Sequence, residues 1–303
     1  MFASLAFLAL GQAIVIPLQK TPPQLERPVA PIETAGKAFD AACKDFDEWD
    51  KPAPPVRIHG NTYLVGTCGI SAILVTGSDG HVLIDSGTEA GAELVAANIR
   101  SLGFRLRDVK YLLHSHEHID HVGGIARLQQ LTGAQLVASP AAAAVFRTGT
   151  FSRGDPQAGM HPPFPIARVD RLIDDGGTLR LGNLLLTAVA TPGHTPGALS
   201  WHWGACDGGV CRRIVYADSL SPISRDAYRF SDRPAYVSSY RAGIAKVAAL
   251  QCDILLAPHP SASDMIKRMA GKAPLTNANG CRDYAASIRK HLDQRLAEER
   301  SGK

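Results

Sequence analysis

Long apolar runs are missing from this chain of 303 residues. Residues 2–16 are mostly apolar and small, but too few to span a bilayer comfortably. Their length fits the apolar region of a secretion signal, and Gly11 and Ala13 resemble a small-x-small cleavage site, although no Lys or Arg precedes them. Basic runs with interleaved aromatics are absent, and a net charge of +4 makes no case for a nucleic-acid partner. No short tandem repeat is present, which removes the solenoid architectures. None of the six cysteines stands in a C-x-x-C pair or adjoins the histidine cluster. Their even number beside an apolar leader points to disulfides in an oxidising compartment. Hydrophobic residues make up 45% and charged residues 20%, so the chain reads as globular, long enough for one large α/β domain or two smaller ones.

What is present is concentrated in residues 112–124, Leu-Leu-His-Ser-His-Glu-His-Ile-Asp-His-Val-Gly-Gly. Imidazole and carboxylate are zinc ligands, and few other functions need so many so close together. The apolar lead-in at 109–113 reads as a buried strand, and the Gly-Gly with Ile125 and Leu128 as a turn into a helix. His116 and His118 are two apart, so on an extended segment they face the same way and can share one metal. Asp120 and His121 follow where the chain must turn, and can face a second metal. Two later landmarks supply isolated histidines. Thr191-Pro192-Gly193-His194-Thr195-Pro196-Gly197 holds His194 between two Pro-Gly turns, and Pro258-His259-Pro260 follows a buried strand at 254–257.

Around these landmarks, strands are expected at 56–65, 70–75 and 82–84, then a helix at 89–102. The metal-bearing strand and the helix at 125–131 lead to a strand at 135–138 and a helix at 140–146. Residues 148–165 are rich in Gly, Pro and polar residues, as a long binding loop is. Strands at 171–173, 178–181, 184–190, 199–203 and 213–216, a helix at 236–250 and a C-terminal helix at 279–298 complete the order. The order predicts two similar α/β halves sharing one core, with ligands at one edge of the strands. Residues 1–20 read as a signal peptide, 21–45 as an extended lead and 46–303 as the domain. Cys206 and Cys211 bracket a turn sequence and suit a hairpin-tip bridge. For the others, Cys43–Cys68 and Cys252–Cys281 is the simplest of about fifteen connectivities.

The run His116-x-His118-x-Asp120-His121, then His194, then His259, resembles the ligand set of the metallo-β-lactamase superfamily, from about Val56 to the C-terminal helix. Asp218-Ser219-Leu220-Ser221, the segment 96–104, the segment 255–260 and the six cysteines resemble a disulfide-bearing branch of subclass B3. The resemblance implies an αβ/βα sandwich with two Zn2+ in a groove at one edge. It implies His116, His118 and His194 on the first zinc, and Asp120, His121 and His259 on the second, Asp120 being also the catalytic carboxylate. A hydroxide bridging the metals would open β-lactams: carbapenems, cephalosporins and penicillins. Ser219 and Ser221 would take the substrate carboxylate by hydrogen bonds, and Gln157, in the long loop, would contact the bound drug. Asp218 is expected to orient a ligand, Asp85 to orient a ligand imidazole or tie the loop, Glu117 to point away from the metals, and His114 to stand beside a set complete without it.

The resemblance further implies a monomeric periplasmic enzyme acting on a small molecule, with no nucleic-acid or membrane partner. The alternative is another hydrolase of the same fold, a lactonase or thioester hydrolase, in which Asp218 would bridge the metals. A binding protein without turnover would be favoured by a mutated ligand, and none is mutated.

Overall fold

The computed structural model describes residues 31–43 and 48–301. The expected signal segment lies outside them. The expected extended lead gives way, within its described part, to helix α1 (Ile32–Ala42). Phe39 of α1 is fully buried between the sheets, and the helix is tied down by the Cys43–Cys68 bridge. An apolar Phe with a disulfide behind it gives this short helix the tertiary support it would lack alone.

Seven strands form the first sheet in sequence order: β1 (Val56–His59), β2 (Thr62–Leu64), β3 (Ile73–Gly77), β4 (Gly80–Ile84), β5 (Val109–Leu113), β6 (Gln135–Ala138) and β7 (Val169–Leu172). β1 to β4 are antiparallel neighbours, while β4 through β7 run parallel. The single strand expected over 56–65 is in fact the β1–β2 hairpin, turned at Gly60, whose φ of +54° is where a side chain would be strained. Five strands form the second sheet: β8 (Thr178–Leu181), β9 (Leu184–Ala190), β10 (Leu199–Asp207), β11 (Val210–Tyr216) and β12 (Ile254–Leu256). These too are antiparallel until a final parallel pair, β11 with β12. The Cys206–Cys211 bridge closes the β10–β11 hairpin, and Cys252–Cys281 ties the start of β12 to the C-terminal helix.

Strand alternation sorts the apolar side chains into layers. Ile73, Val82, Ile84 and Leu113 face inward against Leu186, Trp201, Ile214 and Ile254 of the other sheet. Leu74, Leu83 and Leu112 face outward, under helices α2 (Gly91–Ser101), α4 (Ile125–Thr132) and α5 (Pro140–Thr148). Val215 and Leu255 face outward from the second sheet, under α6 (Pro234–Ala249) and α8 (Gly280–Ser301). The result is helices, sheet, sheet, helices: an αβ/βα sandwich of two similar halves around one core. Each fully buried Leu or Ile in it contributes about 1.5–3 kcal/mol. Parallel strands place their C-terminal ends on one edge, so the segments after β4, β5, β11 and β12 converge there.

Candidate metal centre

Four of those segments, and the turn after β9, carry the histidines and carboxylates singled out above. After β5 the chain does not stay extended as the spacing suggested but bends at Ser115, Glu117 and His118, then enters the one-turn helix α3 (Ile119–Val122), which holds Asp120 and His121. His116, His118 and His194 bring ligand atoms within 4.8 Å of one another, as do His116, Asp120 and His121. In the second cluster, Asp120 Oδ2 lies 3.0 Å from His121 Nε2 and 3.5 Å from His259 Nε2, which are 3.3 Å apart. Zn–N distances of about 2.0–2.1 Å put tetrahedral donors roughly 3.3 Å apart, so Asp120, His121 and His259 are spaced for zinc, and His116, His118 and His194 lie close enough to close on one.

For four of the ligand candidates, His116, His118, His194 and His259, the nitrogen turned away from the cluster is held by the protein. His116 Nδ1 lies 2.8 Å from Asp218 Oδ1, and its buried Nε2 has no hydrogen-bond partner among the described residues. A buried imidazole nitrogen with nothing to bond is what a metal would complete. His118 Nε2 faces both oxygens of Asp155, at 3.1 and 3.3 Å, leaving Nδ1 for the cluster. His194 Nδ1 meets the Ser221 carbonyl at 2.9 Å, and His259 Nδ1 the Gly69 carbonyl at 3.0 Å. His121 Nδ1 is the exception: it lies 3.6 Å from Asp85 and has no hydrogen-bond partner among the described residues.

Asp85 binds the loop more than the ring. It accepts from Ser115 N, Ser115 Oγ and Tyr216 OH at 2.6, 2.7 and 2.6 Å. Glu117 points away from the cluster as expected, into the His194 turn, where it accepts from Thr195 Oγ1 at 2.6 Å and Gly197 N at 2.8 Å. One buried carboxylate thereby joins two ligand-bearing loops. Gly193 lets that turn approach α6: a Cβ there would lie 2.2 Å from the Tyr240 ring. The Asp218-Ser219-Leu220-Ser221 turn contains a non-glycine left-handed residue, Leu220, at φ +49°, held by its N–H donating to Asp218 Oδ2 at 3.1 Å. Such a conformation persists only where the surroundings impose it.

Electrostatics separate the clusters. Burial, reinforced by the neighbouring imidazoles, holds His116 well below its ordinary value. Burial, with His118 adding to it, lowers His194 to about 3. These rings are neutral, as ligands must be. Burial would raise Asp120, but His121 and His259 hold it well below the usual carboxylate range. Burial would lower His121, but Asp120 and Asp85 raise it. Burial raises Glu117 to about 7, against the Thr195 hydrogen bond. Burial also pushes the Asp218 carboxyl well up, against the backbone N–H groups of Leu220 and Ser219.

The substrate-facing candidates lie around this centre. Gln157 is buried, with Nε2 3.4 Å from His194 Nε2. Ser221 Oγ lies 3.1 Å from His194 Nδ1. Ser219 Oγ is buried and has no partner among the described residues. His114 is a core histidine: its Nε2 accepts from Ser139 N at 3.2 Å, and burial lowers it to about 4. Asp155 was not singled out from the sequence. The only signal for it was Asp before Pro156 in the long loop, where its Oδ1 also accepts from Gln157 N at 2.7 Å.

Comparison with known proteins points the same way. Residues 65–210 match the metallo-beta-lactamase superfamily. The MIM-2 metallo-beta-lactamase structure is 59% identical with a TM-score of 0.84, over 88% of this chain and 98% of that one. MIM-1 from Novosphingobium pentaromativorans is 50% identical with a TM-score of 0.86, over 88% and 99%. MEM-A1, a subclass B3 enzyme from a soil metagenome library, is 43% identical with a TM-score of 0.81, over 84% and 100%.

Proposed function

The chain belongs to the metallo-β-lactamase superfamily, on its subclass B3 branch, and we propose on that premise how it hydrolyses β-lactams. The observation that carries the reading is the His116 ring, held by Asp218 on one side and offering a buried, unpartnered nitrogen on the other. His116, His118 and His194 would hold a first zinc, and Asp120, His121 and His259 a second. When bound, zinc supplies a Lewis acid for the lactam carbonyl and brings the ionisation of water near neutrality.

The chain's own groups do the rest. Asp218, Asp155 and the Ser221 carbonyl fix the first three rings in orientation and tautomer. Asp120 keeps a negative charge on the second set, on the side where the lactam nitrogen departs. The Ser219 hydroxyl, free to donate, takes the substrate carboxylate with help from Ser221. Gln157 covers the opposite side, over His194. The three disulfides suit an oxidising compartment, and we assign the enzyme to the periplasm.

The alternative, a lactonase or thioester hydrolase, calls for Asp218 between the metals. Both Asp218 oxygens are engaged elsewhere, Oδ1 by His116 and Oδ2 by Leu220 N, which supports the β-lactam reading. The test is hydrolysis of a carbapenem and of an acyl-homoserine lactone by the zinc-loaded protein, with and without a chelator. Fast chelator-sensitive loss of the carbapenem and about two zincs per chain are expected. Turnover of the lactone alone would reject the reading.

A further inference from the structure

Asp155 and Gln157 reach the metal centre from a loop whose own bonds are short-range. Asp155 N donates to Ser152 O at 3.1 Å, Ala158 N to Asp155 O at 3.1 Å, and Met160 N to Gln157 O at 2.9 Å. Turns of this kind shape a loop without fixing it to the body of the protein. Gln157 Nε2 lies 3.4 Å from His194 Nε2, and a small shift of the loop would carry it away.

A distant anchor comes from the segment that follows the Ser219–Ser221 turn. Arg225 N donates to the Pro156 carbonyl at 3.1 Å, and Arg225 Nη1 to the Ala158 carbonyl at 2.6 Å. One residue thus holds the carbonyls of both neighbours of Gln157. Its own seat is fixed. Tyr228 N donates to the Arg225 carbonyl at 3.0 Å, and Ser224 Oγ to the Tyr228 carbonyl at 3.1 Å. Tyr228 and Phe230 are fully buried, and Arg295 of α8 donates to Ser224 Oγ at 3.0 Å. The buried Glu299 carboxylate accepts from Phe230 N at 3.1 Å and Ser231 N at 2.7 Å.

Arg225 is half-buried, and its buried Nε has no partner among the described residues. An orphaned donor is unfavourable, so packing alone is a poor reason for an arginine here; the bond from Nη1 is the better one. We propose that Arg225 is a positioning residue for substrate binding. By clamping Pro156 and Ala158 it sets Gln157 beside His194, and it keeps a fixed spacing between that side of the groove and the turn carrying Ser219 and Ser221. This rests on the β-lactamase reading above, in which Gln157 contacts the drug.

The test compares the zinc-loaded parent protein with Arg225→Met, Arg225→Lys, Gln157→Ala and the double variant Arg225→Met/Gln157→Ala. Methionine keeps an apolar stem and removes the orphaned Nε–H, and every variant retains the backbone bond to Pro156, so the fold is expected to persist. KM and kcat for a carbapenem are measured, with hydrogen exchange of the Gln157, Ala158 and Met160 amides. Arg225→Met is expected to raise KM about tenfold, the order one lost hydrogen bond to substrate is worth, with kcat little changed. The three amides should exchange faster. Arg225→Lys, whose ammonium still reaches towards the Ala158 carbonyl, should recover most of both effects. The double variant should be no worse than Gln157→Ala, because Arg225 acts through Gln157. Multiplying effects in the double variant, or unchanged KM and exchange in Arg225→Met, would overturn the role and leave the activity standing. A parent protein that opens no lactam would overturn the β-lactamase reading. The clamp is then decided by exchange: faster amides in Arg225→Met uphold it, and unchanged amides reject it.

Discussion

Strand β4 and the β4–β5 edge place buried imidazoles at opposite ends of one sheet, and the ends treat them differently. At the C-terminal end, His116 and His118 are buried together with His194, which comes from the turn after β9 of the second sheet, and each has an acceptor on the nitrogen turned from the cluster. At the N-terminal end, His81 is also largely buried, 9% exposed, with its ring against Phe104 at 5.1 Å. Its Nδ1 has no partner among the described residues. Burial alone therefore does not mark a functional histidine. The mark is a second group that fixes the tautomer and aims the free nitrogen at other ligands.

The sharpest way to break this comparison is to remove the partner and keep the ring. Asp218→Asn is expected to lower zinc affinity by about 10–100-fold, measured by competition with a chromogenic chelator, while still binding two zincs at saturation. If only one zinc binds at saturation, Asp218 is itself a ligand, and the lactonase or thioester-hydrolase reading gains. Asp155→Asn should cost less, about tenfold in affinity, because His118 Nε2 lies 3.1 and 3.3 Å from the Asp155 oxygens, a longer contact than the 2.8 Å between His116 and Asp218. It should also speed proteolysis within 149–165, since Asp155 holds both His118 and Gln157 N. Unchanged affinity and unchanged cleavage would reduce Asp155 to a turn residue.

The contrast also explains what the sequence could reveal. The ligands were legible because residue spacing and turn chemistry are local: His116 and His118 stand two apart just past a strand end, and His194 and His259 stand out among prolines and glycines. The sandwich was legible from the order of apolar runs. The partners were less so. Asp155 lies 37 positions from His118, in a loop without periodicity, and only folding brings them together. The β1–β2 hairpin was hidden because an apolar alternation continues on both sides of Gly60 and Asn61. Helix α1 was hidden because its stability comes from Phe39 entering the core and from the Cys43–Cys68 bridge, both long-range.

His81 supplies the smallest effect and the control. Burial lowers its pKa from 6.5, against the Gly80 backbone hydrogen bond, so the ring is neutral in the fold and takes a proton more readily once unfolded. The unfolded chain then binds more protons than the native one as pH falls below about 6.5. Stability is full above that value and is lost as pH falls towards the depressed native value. His81→Gln removes this term without touching the metal centre. Between roughly pH 8 and pH 5, Tm should therefore fall less steeply in the variant than in the parent protein. Parallel curves would mean that His81 is protonated at no cost in the fold, so that it has a partner after all and the two ends of the sheet are alike.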